Sequence, residues 1–185
     1  MKMRKILSVQ VGQPKTVEFK GRMVTTSIFK SAVRGPVAVN NLGITGDSQS
    51  DLTVHGGVLK AVYAYPAEHY DWWRDQYPQF DYEYGAFGEN LTIFGLVEEE
   101  LNVGDLLKMG SVVFRVTQPR FPCYKLGIKF NNPKMTAFFH FSKKSGFYLE
   151  VLEEGILQAN DEIVLVSKQE GKTIADLVEK QITRS

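Results

Sequence analysis

A mainly β fold, barrel or sandwich, is what this sequence predicts, and three observations predict it. Short β-branched and aromatic runs recur along the 185 residues. Glycine-marked turns lie between them, and only three stretches carry helical spacing. Strands are expected at Lys5–Val11, Lys15–Phe19, Arg22–Ile28, Ala61–Tyr65, Val112–Thr117, Phe147–Val151 and Glu162–Ser167, each rich in Val, Ile, Thr, Phe or Tyr. Gly12, Gly21, Gly104-Asp105, Gly110-Ser111 and Gly155 supply the turn chemistry between or beside them. The first helix is expected over Pro66–Tyr77: Pro66 suits a first helical position, and Tyr70, Trp73 and Tyr77 lie three and four apart. A second short helix is expected over Met135–Phe141, after Asn132-Pro133. The third opens at Thr173 with a Thr-x-x-Asp pattern like a capping box and sets Ile174, Leu177 and Val178 on one face.

With 22 basic and 21 acidic residues and 43% hydrophobic content, the chain reads as one ordinary globular domain, with no linker, repeat or low-complexity tract. The balanced charge gives no reason to expect nucleic acid. No apolar run approaches membrane-spanning length, and the opening apolar segment is too short for a secretory signal. No membrane association is expected, and a lone free thiol fits a reducing cytoplasm.

That thiol, Cys123, is the single cysteine of the chain. One cysteine excludes intrachain disulfides, Cys₄ and Cys₂His₂ zinc sites and all-cysteine iron–sulfur clusters. Pro119 and Pro122 bracket it at the end of a strand, and two prolines three apart cannot continue a central strand because each lacks the ladder N–H. The thiol is therefore expected on a stiff loop with Arg120 and Lys125 nearby. Such cations favour thiolate, the form that attacks electrophiles or binds soft metals. The alternative is a small buried hydrophobe, as many free cysteines are.

Two further stretches are dense in polar groups and glycine. In Asp47–Lys60, Gly56-Gly57 lets backbone approach a ligand and present N–H groups to an anion, with His55 and Lys60 beside it. A loop that caps its own turns explains the same residues. In Gly85–Thr92, Glu89 and Asn90 follow a tight turn, and Asn90 suits the edge of a heterocycle because it both donates and accepts. A left-handed Asn in a plain strand connection is the competing reading. Tyr63, Tyr65, His69, Tyr70, Trp72 and Trp73 read as core packing. His140 reads as a packed or exposed helix residue, and three histidines without metal-ligand spacing argue against a His-based metal site. No Walker loop, dinucleotide-binding fingerprint or nucleophile elbow is present.

Three stretches together resemble the MOSC domain family, named for the C-terminal domain of molybdenum-cofactor sulfurases, in its stand-alone bacterial YiiM-type branch. They are Gly46-Asp-Ser-Gln-Ser-Asp-Leu-Thr-Val-His-Gly-Gly57 with Lys60-Ala-Val-Tyr-Ala-Tyr-Pro66, then Gly85-Ala-Phe-Gly-Glu-Asn-Leu91, then Val116-Thr-Gln-Pro-Arg-Phe-Pro-Cys-Tyr-Lys-Leu126. The resemblance implies a MOSC-type β-barrel over 1–167, with a few short helices, and a short helical tail over 168–185. That branch carries a longer helical part after its barrel than the single helix expected here. The resemblance also implies a bound molybdenum cofactor, a pterin dithiolene with a phosphate, and family-level binding of pyridoxal phosphate. The implied activity is reduction of N-hydroxylated compounds, including detoxification of hydroxylaminopurine base analogues, with electrons from a separate flavin or iron–sulfur protein. Cys123 would be the ligand to molybdenum and the catalytic residue. His55, Gly56, Gly57, Lys60, Glu89, Asn90, Arg120 and Lys125 match motif positions expected to line the cofactor pocket. A non-catalytic carrier of the cofactor or its sulfur, using Cys123 as a persulfide site, accounts for the same residues. A metal-free thiol enzyme fits less well, since no base is evident beside the cysteine.

Overall fold

A computed structural model describes residues 2–48 and 56–184. It opens with β1 (Lys5–Val11), followed by the hairpin of β2 (Lys15–Phe19) and β3 (Arg22–Thr26). Phe19 pairs with Arg22 across the hairpin turn, and Lys20 and Gly21 both take positive φ, 52° and 73°. A two-residue hairpin turn of this hand needs that conformation at both positions, which is why glycine stands there. Three short strands follow: β4 (Ser31–Val33), β5 (Val37–Asn40) and β6 (Gly43–Ile44).

Next come β7 (Val62–Pro66), α1 (Glu68–Gln76) and β8 (Leu91–Phe94). β7 and β8 run parallel, the only parallel pair among the described strands, so the chain needs the α1 crossover between them. Pro66 still pairs with Ile93 in this ladder, so α1 starts two residues later than Pro66 suggests. β9 (Leu106–Met109), β10 (Val112–Pro119), α2 (Tyr124–Lys129), α3 (Met135–Ser142) and β11 (Phe147–Glu153) complete the middle of the chain. β12 (Gly155–Leu157), β13 (Ile163–Ser167) and α4 (Ile174–Ile182) close it. The Thr173 hydroxyl accepts from the Asp176 N–H at 3.0 Å and the Asp176 carboxylate accepts from the Thr173 N–H at 2.9 Å, so the capping box forms as expected.

The main sheet has eight strands in the order β13-β9-β10-β11-β7-β8-β1-β4, with β12-β5-β6 as a smaller second sheet. The protein is mainly β with a few helices, as expected, but the expected barrel is not closed. The large sheet curls until Lys5 forms an isolated bridge with Glu162, supported by Ile6 N–H to Asp161 C=O at 3.0 Å and Ile163 N–H to Arg4 C=O at 2.9 Å. Closure needs a continuous ladder between the end strands. Here β1 gives its later half to the three-residue β4, pairing Val9 with Val33, and only its first residues reach the approach to β13.

Two apolar clusters result. Ile6, Leu91, Leu107, Phe114, Phe147 and Leu149 belong to one, inside the sheets. Tyr65, Tyr70, Trp73, Phe87 and Phe139 belong to the other, between the sheet and the first three helices. The aromatic run read as core packing is core packing: Trp73 Nε1 donates to Tyr65 Oη at 2.7 Å, and both residues are fully buried.

Candidate functional site

β10 ends at Pro119, and Cys123 follows in an extended conformation, φ −123° and ψ 170°, as the residue before α2. This gives the expected short, proline-marked loop at a strand end. The thiol is half-buried rather than sealed in the core. It faces an open cleft.

All three motif stretches reach this cleft. Gly56 and Lys60 come from the first, Asn90 from the second, and Arg120, Cys123 and Lys125 from the third. Gly57, φ 83°, sits just outside the lining and opens the 3₁₀ turn Val58–Lys60. His55 lies outside the described residues.

Two expectations need correction. Glu89 does not line the cleft. It is fully buried beneath it, accepting from the N–H groups of Gly85 (2.7 Å) and Phe87 (3.1 Å), the Thr92 hydroxyl (2.9 Å) and the Tyr70 hydroxyl. A carboxylate that gathers four donors pins the Gly85–Asn90 turn and has little left for a ligand. Asn90 does line the cleft, but its amide is committed. Its Oδ1 accepts from the Tyr63 N–H at 3.0 Å, and its Nδ2 donates to Asp47 Oδ2 at 2.8 Å and to the Gln10 carbonyl at 3.3 Å. It positions its neighbours rather than waiting for a heterocycle.

Asp47 and Lys30 are functional candidates that the sequence reading missed. Both side chains are only 7% exposed, and Lys30 Nζ lies 2.5 Å from Asp47 Oδ1. The same Oδ1 accepts from the Gly12 N–H at 2.7 Å, so Asp47 is held from three directions. Asp47 opened a polar stretch already singled out. Lys30 carried no local signal beyond being a cation just after an apolar run.

Arg120 is the most constrained cation. It is 5% exposed, and its guanidinium lies over the rings of Tyr63 at 4.9 Å and Phe139 at 5.2 Å. Its buried Nη1 has no hydrogen-bond partner among the described residues. Burial works against the cation, but Tyr63, Tyr148 and Cys123 beside it outweigh burial and hold its pKa above the usual arginine value. Burial raises the Tyr63 phenol well above its ordinary range and also raises Tyr148, so both phenols are neutral at pH 7. Burial is likewise the main influence on Lys30 and lowers its pKa, although Asp47 opposes it. Lys60 Nζ stands 5.7 Å from the ring of Tyr148. Among the described residues the lining therefore holds Lys30, Lys60, Arg120 and Lys125 against one carboxylate that is already satisfied, which suits an anionic ligand. Among the described residues no three His, Cys, Asp or Glu side chains gather to hold a metal ion by themselves. A single thiol in a cation-lined cleft fits a metal that arrives with an anionic organic ligand of its own. No described helix is long and apolar enough to cross a membrane.

The MOSC domain model matches residues 51–164. Over 165 residues the chain is 39% identical to the uncharacterized protein YflK of Bacillus subtilis, covering 89% of this chain and 74% of that protein. It is 34% identical over 153 residues to protein YiiM of Escherichia coli, covering 82% and 68%. A protein named reductase from Gibberella moniliformis is 33% identical over 166 residues, 88% of this chain but only 29% of that protein. The crystal structure of YiiM from Geobacillus stearothermophilus superposes with a TM-score of 0.81 at 36% identity, covering 98% of this chain and 85% of that one.

Proposed function

Because this chain belongs to the MOSC domain family, we propose that its cleft binds the molybdenum cofactor and reduces N-hydroxylated compounds, hydroxylaminopurine-type base analogues among them. One observation carries this reading. Among the described residues the thiol of Cys123 shares a cleft with four cations, of which Arg120 keeps a buried Nη1 without a partner. An orphaned, charged N–H in a cleft is a binding capacity that a phosphate oxygen satisfies. Cys123 as thiolate is the protein ligand to the metal. Arg120, Lys60 and Lys125 hold the phosphate, Gly56 offers backbone close to it, and His55 stands next to Gly56 in sequence.

When bound, the cofactor supplies two-electron redox chemistry at the metal. The overall change is R–NH–OH + 2e⁻ + 2H⁺ → R–NH₂ + H₂O. The electrons come from a separate flavin or iron–sulfur protein, since the chain carries no motif for a flavin or nicotinamide. The protein's own share is to bind, orient and supply protons. The reductase name borne by the Gibberella relative is in keeping with this reading.

The test is metal analysis of protein from molybdenum-replete cells, paired with reduction of 6-N-hydroxylaminopurine by reduced methyl viologen. Stoichiometric molybdenum with turnover supports the proposal. Molybdenum without turnover favours the carrier reading, and protein that takes up no molybdenum overturns both.

A further inference from the structure

We propose that Lys30 is the acid of the cleft, giving its proton to the oxygen that leaves the nitrogen of an N-hydroxylated substrate. The inference rests on the reductase reading above. The N–O bond breaks as two electrons arrive from the flavin or iron–sulfur donor. The departing hydroxyl takes the Lys30 proton and leaves as water, the nitrogen takes a second proton from solvent, and solvent then restores the Lys30 ammonium.

The geometry singles out this residue. Lys30 lines the same cleft as Cys123, with its side chain only 7% exposed. Among the described residues only Asp47 accepts from its ammonium, which carries three N–H groups. Tyr148, which also lines the cleft, is a phenol whose pKa burial raises and thus a weaker acid. The remaining titratable candidates of the described lining are committed elsewhere. The Tyr63 hydroxyl donates to the Ser145 carbonyl at 2.8 Å. The Arg120 guanidinium does not release its proton. Asp47 is a fixed carboxylate that accepts from Gly12, Asn90 and Lys30. Lys60 and Lys125 line the same cleft and are assigned to the anion.

The charges facing Lys30 set its acidity. Burial lowers its pKa most, Asp47 and then Glu89 pull it back up, and Arg120 adds to the lowering. The result is an ammonium easier to deprotonate than a surface lysine, as suits general acid catalysis. Asp47, itself held by Asn90, fixes its position.

The experiment compares molybdenum-loaded wild type with Lys30→Arg and Lys30→Gln, using 6-N-hydroxylaminopurine and reduced methyl viologen across pH. Both variants are expected to keep their molybdenum and a KM within about threefold of wild type. Their kcat should fall by about 10²–10⁴, the usual weight of a general acid. The decline of wild-type kcat on the alkaline side should vanish in both. Independently of turnover, carbon-13 methylated lysines report titration by NMR, and the resonance missing from Lys30→Arg should titrate below the ordinary lysine value. A Lys30→Arg enzyme with wild-type kcat and an unchanged alkaline limb overturns the proposal while leaving the reductase reading intact. Loss of molybdenum from both variants also overturns it, assigning Lys30 to cofactor binding. A molybdenum-loaded wild type with no turnover overturns both readings together.

Discussion

The guanidinium of Arg120 lies 4.9 Å from the ring of Tyr63, and the two residues meet where β7 and the end of β10 approach the cleft. Tyr63 is anchored at both ends: its N–H donates to Asn90 Oδ1 at 3.0 Å and its hydroxyl to the Ser145 carbonyl at 2.8 Å. The ring is thus a fixed platform that holds a buried cation in place while one of its nitrogens, Nη1, has no partner among the described residues. Such an arrangement sacrifices stability for readiness to bind.

Arg120→Met should therefore separate the two. In ligand-free protein the variant should unfold within about 1 kcal/mol of wild type, or later, because it removes an incompletely paired buried charge. Arg120→Lys should keep charge yet retain less molybdenum cofactor, since lysine cannot grip phosphate in two places. Urea denaturation and metal content read the two effects. A large loss of stability in Arg120→Met would show the guanidinium to be structural.

Cys123→Ser should lose molybdenum and its dependent turnover while changing stability by less than about 1.5 kcal/mol, because the thiol is half-buried on a loop and near-isosteric changes outside a packed core are mild. Metal analysis of the purified variant checks the first expectation and urea denaturation the second. Full turnover in the variant would exclude Cys123 as ligand or nucleophile.

Glu89→Gln should destabilise the fold by about 2–4 kcal/mol, since an amide nitrogen would face donors where a carboxylate now accepts four. The loss should appear in ligand-free protein by urea denaturation. A variant of unchanged stability would contradict the structural role assigned to this carboxylate.

Gly146→Ala should be costlier than its size suggests. Gly146 has φ 63°, and a Cβ there would stand 2.5 Å from the Ala64 carbonyl oxygen and 2.8 Å from the Tyr63 ring. Its carbonyl also accepts from the Arg120 N–H at 3.4 Å, so strain should reach the cleft. A loss above about 2 kcal/mol is expected, from left-handed backbone strain together with the clash. Loss of bound molybdenum should accompany it.

Acid should reveal the buried pair of His69 and Glu98, which meet at 2.7 Å. Burial alone would raise the Glu98 pKa, but His69 and the Gly146 N–H bring it below the ordinary value of 4.5. A depressed carboxyl stabilises the fold fully above the unfolded value and loses that contribution as pH falls through the folded one. Unfolding free energy should therefore decline as pH drops below about 4.5, with a shallower decline in Glu98→Gln. Identical slopes for the two proteins would remove Glu98 from the account.

Much of the framework was legible because it depends on neighbours in sequence. β1 and β2 begin and end where β-branched spacing and glycine put them. The capping box starts α4 because Thr173 and Asp176 carry the pattern themselves. The proline-bracketed loop of Cys123 follows from missing N–H groups at Pro119 and Pro122. α2 was not foreseen: its six residues are too few for helical periodicity to stand out, and packing buries Leu126 and Ile128. β8 was missed because a four-residue apolar run is ambiguous until a parallel partner claims it.

By itself, then, the sequence determined a mainly β chain with a single cysteine and three polar, glycine- or proline-marked loops. These follow from backbone constraints that act over a few residues. Only the tertiary structure decided which side chains face the cleft. It turned Glu89 inward, because four donors converge there from α1, the turn and β8. It brought Lys30 to Asp47, seventeen positions away, and Asp47 to Asn90, forty-three away. It also left the main sheet unclosed, because closure depends on which strand edges meet. Burial, pairing and charge at a site are sums over distant neighbours, and no local pattern of residues encodes them.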